Sequence, residues 1–104
     1  MNSYSRCSVE DTFANGDEKI ICDAILLMTF NDPDWKWVQN KLLDFLSSPS
    51  ESIRGVSATC LGHLARIHGV LEKGKVIKKL SALRADKDIS GQVESAMEDI
   101  EMFL

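Results

Sequence analysis

The chain has no apolar run approaching the roughly 18 residues that a membrane span needs. Its longest, Ala24 to Phe30, covers seven positions and includes Thr29. Met1 to Glu10 lacks the basic start and apolar stretch of a secretory signal, which leaves the cytoplasm as the expected location. Cysteine is sparse: Cys7, Cys22 and Cys60 are an odd number, widely spaced, and offer neither a disulfide framework nor a paired zinc motif. Positive charge is in deficit, the formal net charge being −4 and the isoelectric point near 5.1. Direct nucleic-acid binding, which relies on surplus Lys and Arg facing phosphates, is thereby disfavoured. No phosphate-cradling glycine loop is present, since Lys73-Gly74-Lys75 is only a basic turn. No Ser/His/Asp or Cys/His arrangement suggests catalysis.

What is present fits a globular protein. Of 104 residues, 44% are hydrophobic and 27% charged, a balance that favours folding over disorder. Residues 1–16 are polar and aperiodic and read as a loosely ordered leader, with Phe13 expected to tuck against the body. Residues 17–104 read as one domain. A helix beginning near Asp17, whose carboxylate suits the N-cap, places Ile20, Ile21, Ala24, Ile25, Leu27 and Met28 at helical spacing. Asn31-Asp32-Pro33-Asp34 interrupts it, and a second helix over 33–46 buries Trp35, Val38, Leu42, Phe45 and Leu46. Ser47-Ser48-Pro49-Ser50 is the next stop. A third helix, about 52–68, carries the stripe Ile53, Val56, Ser57, Cys60, Leu61, Leu64 and Ile67, with Gly69 as its C-terminal cap. A fourth, 72–84, buries Val76, Ile77, Leu80 and Leu83. A fifth, 90–103, places Val93, Ala96, Met97, Ile100 and Leu104 on one side. The expected class is all-α: about five helices in an antiparallel stack, with no strand.

The chain also echoes itself. A shift of 37 residues lays Leu43 on Leu80, Leu46 on Leu83, Val56 on Val93 and Cys60 on Met97. Repeated helix pairs of about this length mark stacked solenoids, in which each pair buries its face on its neighbours.

The segment Ser50 to Ile67 resembles the first helix of a HEAT repeat, matching it at Ile53-Arg54, at Ala58 and at Leu61-Gly62-His63-Leu64. The likeness extends loosely over 17–104 as two and a half repeats. It departs at 88–93, where the Arg after the apolar residue is missing, as in a capping unit. It implies that Gly62 lets two helix backbones approach closely and that Arg54 reaches carbonyls or an acid of the preceding unit. At finer grain the chain resembles all-helical immunity proteins of bacterial contact-dependent growth inhibition. The residues are DPDWKWVQ at Asp32 to Gln39, CLGHLARIHG at Cys60 to Gly69, and the acidic AMEDIEMFL at Ala96 to Leu104. That resemblance implies a non-enzymatic, cytoplasmic inhibitor, monomeric and bound 1:1 to a cognate toxin domain. The toxin would be a nuclease, with the EndoU-like RNase kind among the candidates. No membrane, small molecule or cofactor is implied. A scaffold module docking to another protein is the alternative of a different class.

Charge is distributed in blocks. Nine acids and four bases precede residue 52, six bases and two acids fall in 72–87, and five acids with no base follow residue 87. Such blocks steer a partner's approach, although a solvated helix face is the commoner reason for them. Trp35 and Trp37 lie about 200° apart around one helix, so both cannot face a single core. Trp35 aligns with the core stripe. Trp37 falls beside Lys41 and Asp44, where interface and flank packing are equal readings. A HEAT-like stack would set Trp37, Lys41 and Asp44 beside Lys75, Lys78 and Lys79, and Asp32 and Asp34 near His68, Glu72 and Lys73. These eight residues (Asp32, Asp34, Trp37, Lys41, Asp44, His68, Glu72 and Lys73) are the expected partner-binding set. Acids among them would pair with substrate-binding Lys and Arg of a nuclease, while Asp34 serves equally well as a helix cap. Cys60 and His63 supply two ligand types for zinc, but nothing nearby in the sequence completes a tetrahedral set.

Overall fold

The computed structural model describes residues 4–104, so the first three residues of the expected leader lie outside it. Among the described residues there are six helices: α1 (Arg6–Asn15), α2 (Glu18–Asn31), α3 (Trp35–Phe45), α4 (Glu51–His68), α5 (Lys73–Ala82) and α6 (Ser90–Phe103). None is long and apolar enough to cross a membrane. Local chemistry sets most boundaries. The side chains of Asp17, Asp34 and Ser50 accept from the amides of Ile20, Trp37 and Ile53, each satisfying a donor that the first helical turn leaves free. Gly69 ends α4 at φ 65°, a left-handed conformation that side chains with a Cβ resist.

The sixth helix is α1, and it corrects the expected count of five. Its sequence carries little amphipathic signal, because Val9 is its single fully buried residue. What holds it is tertiary. Val9 is 2% exposed, and the Phe13 ring meets Phe45 edge-on with centroids 4.9 Å apart. Arg6 reaches Asp32, 26 residues away.

Helices pair as α1–α2, α3–α4 and α5–α6 across short connections, and α4 packs on α2, α3 and α6. Two layers result. In one, Arg6, Glu10 and Phe13 of α1 meet Trp37, Lys41 and Phe45 of α3 in ascending order, so α1 and α3 run parallel. The pairs Gln39–Glu72, Asn40–Lys75 and Ser47–Lys79 extend that layer to α5 in the same direction. The other layer is α2, α4 and α6. There a Cβ built on Gly55 would lie 3.2 Å from Gln92, and one on Gly62 would lie 2.9 Å from Asp99, both 37 positions onward. The 37-residue offset that lays Val56 on Val93 and Cys60 on Met97 in the sequence is thus also the register of α4 on α6. The shortest molecular dimension, 19 Å, is what two helix thicknesses of about 10 Å require.

The core between and within the layers contains Ile25, Met28, Val38, Leu42, Leu61, Leu64, Val76, Leu80, Val93 and Ile100, all fully buried. Cys60 belongs to it, and burial pushes its thiol up to about 11 despite a hydrogen bond with Thr29. Four residues expected to face inward do not. Ile20, Leu27, Ile67 and Leu104 are exposed, no other element among the described residues covering them.

Candidate functional site

The expected partner-binding residues divide into three places. Asp32, at the end of α2, is only 3% exposed and its carboxylate is engaged inside the molecule. Oδ1 accepts from Arg6 Nη2 at 2.8 Å and from the Asp34 amide at 2.9 Å. Oδ2 accepts from Arg6 Nε at 3.0 Å and from the Tyr4 hydroxyl at 2.5 Å. The bidentate Arg6 bond, joined by the Tyr4 bond, holds the carboxyl down at about 2 against the cost of burial. Burial and the Asp32 charge push the Tyr4 phenol upward in return. Asp34 caps α3 and lies 3.6 Å from Arg6 Nη2 with its side chain half exposed.

Trp37 is flanked by two cations. Its ring is half-buried, with the Arg6 guanidinium 4.2 Å from the ring centroid and Lys41 Nζ 5.6 Å from it, and Lys41 in turn lies 3.5 Å from Glu10. Asp44 is exposed and lines a shallow groove between α3 and α5 with Lys75, Lys78 and Lys79. Trp37 and Lys41 face α1 instead.

Glu72 and Lys73 start α5. Gln39, fully buried on α3, donates from Nε2 to Glu72 Oε1 at 2.7 Å and accepts from the Glu72 amide at 2.7 Å. This two-point clasp joins α3 to α5, and no periodicity in the sequence announces it. Lys73 Nζ lies 3.4 Å from Glu101 on α6. His68 is half-buried in the last turn of α4, its Nε2 enclosed and, among the described residues, without a hydrogen-bond partner. Arg54 is structural: it donates to the carbonyls of Ser48 and Pro49 at 3.0 and 3.1 Å and to Asp86 at 3.2 Å. It therefore ties the turn before its own helix to the turn of the following hairpin, not the preceding one.

One further place was not anticipated from the sequence. Phe30 at the end of α2, His63, Arg66 and Ile67 on α4, and Phe103 at the end of α6 line an open hollow of about 480 Å³. Phe30, Ile67 and Phe103 are 54%, 45% and 45% exposed, values that set them apart from the core. The Phe30 and His63 rings stand 5.3 Å apart, and the Arg66 guanidinium lies 6.0 Å from the Phe103 ring centroid. Aromatic and Arg side chains around a concavity are the composition of interface centres. Among the described residues, no group of three His, Cys, Asp or Glu side chains is placed to hold a metal ion.

No protein-family model matches the chain, and no curated protein matches it. Among solved structures, it matches a chain of the crystal structure of a CDI complex from Cupriavidus taiwanensis LMG 19424. The two share 25% identity at a TM-score of 0.89, covering 98% of this chain and 92% of that one. The resemblance to immunity proteins of contact-dependent growth inhibition therefore extends to the three-dimensional structure, over nearly the whole chain.

Proposed function

We propose that the chain is an immunity protein, which binds a cognate secreted toxin domain and neutralises it by covering its active site. One observation carries this reading: the end-to-end structural match to a chain of a CDI complex, at a TM-score of 0.89. Fold alone does not specify function, but the rest of the molecule supports the same reading. Its motifs suggest binding rather than chemistry, since the charged clusters around Asp32, Gln39 and Arg54 are consumed in joining helices. In this reading the two layers form a short HEAT-like stack, a rigid surface that binds without rearrangement, and the protein acts in the cytoplasm as a monomer bound 1:1.

The toxin in this proposal is a nuclease, the EndoU-like RNase kind included. A net charge of −4 speeds encounter with a basic substrate groove, and apolar anchors slow release. The test is co-expression with the toxin domain encoded immediately upstream. Restored growth and a co-purifying 1:1 complex are expected. Unprotected cells together with no complex would refute the proposal.

A further inference from the structure

We infer that the hollow formed by Phe30, Ile67 and Phe103 is the surface that grips the toxin, receiving an apolar side chain flanked by an Asp or Glu carboxylate. The inference rests on the proposed function and adds to it both the face and the chemistry of the contact.

Single exposed apolar residues are ordinary on protein surfaces, whereas several converging on one concavity are not. Phe30, Ile67 and Phe103 come from three different helices and meet in one place. Leu27, one turn before Phe30 on the same face of α2, extends the patch and is 44% exposed. The core side of α4 is formed by Ile53, Ala58, Leu61 and Leu64, so Ile67 lies outside that cluster.

Charge identifies the occupant. Arg6 and Arg54 each face two carboxylates within 4.0 Å. Arg66, among the described residues, faces none. Its neighbours are the Phe103 ring and His63 Nδ1, at 3.5 Å from Nη1. A guanidinium set against apolar walls, without an anion of its own, is completed by an incoming carboxylate, and the bidentate geometry of Arg favours that partner. A second copy of this chain does not supply one. A two-fold contact centred on the hollow would bring Arg66 and His63 against their own duplicates. Nucleic acid is disfavoured by the net charge of −4, since phosphate contacts rely on surplus basic surface.

The experiment uses, as probe, a catalytically inactivated form of the toxin domain encoded immediately upstream, titrated calorimetrically against the full chain. Ile67→Glu and Arg66→Glu alter exposed positions. Lys41→Ala and Asp44→Lys on α3 serve as the comparison. The expected result is binding by the wild type, a loss of about 100-fold in Ile67→Glu and at least about tenfold in Arg66→Glu, with the α3 variants within about threefold. Circular dichroism melts identical to wild type establish that the variants fold. Wild-type binding that both α4 variants retain, or that the α3 variants lose instead, overturns the inference while leaving the proposed function intact. Failure of the wild type to bind removes the proposed function, and this inference with it. A dimer of the chain alone in sedimentation that Ile67→Glu dissolves would also overturn it, assigning the hollow to a second copy.

Discussion

Gly55 and Gly62 lie seven residues apart on α4, both against α6, and adding one methyl group to each should move stability in opposite directions. Alanine gains about 1 kcal/mol over glycine at either position through helix propensity alone. At Gly55 the new Cβ meets Gln92 Nε2 at 3.2 Å and Ile89 Cγ2 at 3.5 Å. Gln92 is exposed, and the end of its flexible side chain can swing aside, so Gly55→Ala should keep roughly 0.5–1 kcal/mol of the gain. At Gly62 the Cβ meets Asp99 Oδ2 at 2.9 Å and the Ala96 Cα at 3.2 Å. Asp99 can rotate, but Ala96 belongs to the backbone of α6 and is 1% exposed. The layer must open by a few tenths of an ångström, and overpacking of this kind costs about 1–3 kcal/mol. Gly62→Ala should therefore be less stable than Gly55→Ala by roughly 1–3 kcal/mol, which for a domain of this size separates their melting temperatures by about 10 °C. Urea unfolding followed by circular dichroism measures both. Equal midpoints, or a more stable Gly62→Ala, would show that the close approach of α4 to α6 does not require glycine.

Two further substitutions examine the joints between hairpins. Asp32→Asn should destabilise the protein by about 2 kcal/mol at neutral pH, the value of a carboxyl lowered from 3.8 to about 2. Because the folded carboxyl titrates below the unfolded one, that stability is complete above pH 5 and is lost as pH falls through 4 toward 2. The difference in urea midpoint between wild type and Asp32→Asn should shrink over that window, and a gap that ignores pH would remove the Arg6–Asp32–Tyr4 clamp as its cause. Gln39→Leu keeps the apolar bulk on α3 but leaves the Glu72 amide without its 2.7 Å acceptor, at an expected cost of about 1–3 kcal/mol. Hydrogen exchange should then accelerate at the start of α5 and leave α2 unchanged.

The helices with strong stripes and explicit caps were legible in the sequence. Asp17 and Gly69 cap α2 and α4 as read from the sequence, and α6 runs from Ser90 to Phe103 as its period implies. α1 was not legible because its helix depends on distant partners. A Ser5 cap and the pair Val9 and Phe13, four residues apart, were the available signals, but a two-residue stripe does not distinguish a helix from a leader. Asp32 read as an edge acid for the same reason. Only the course of α1 reveals that Tyr4 and Arg6 close over it. Trp37 lay off the stripe and could not be placed until Arg6 supplied its cover.

The unanticipated hollow has a different origin. Periodicity gives the face of a helix that is apolar, but how many sides of that helix are covered is set by the stack. α4 contacts α2, α3 and α6, which leaves one outward line through Ser52, Val56, Thr59, His63 and Ile67 at helical spacing. The end of that line, His63 and Ile67, lies at the level where Phe30 and Phe103 end their own helices, and Ile67 is its one large, exposed apolar side chain. Three of the layer's exposed apolar side chains, Phe30, Ile67 and Phe103, therefore meet at one end, and a partner seated on them is held in a single register along the stack. Such a partner should slow hydrogen exchange in the last turns of α2 and α6 and around His63 to Ile67, and leave Ser52 to Thr59 exchanging as in the free protein. Protection spread evenly along α4 would mean that the contact does not centre on this end of the layer.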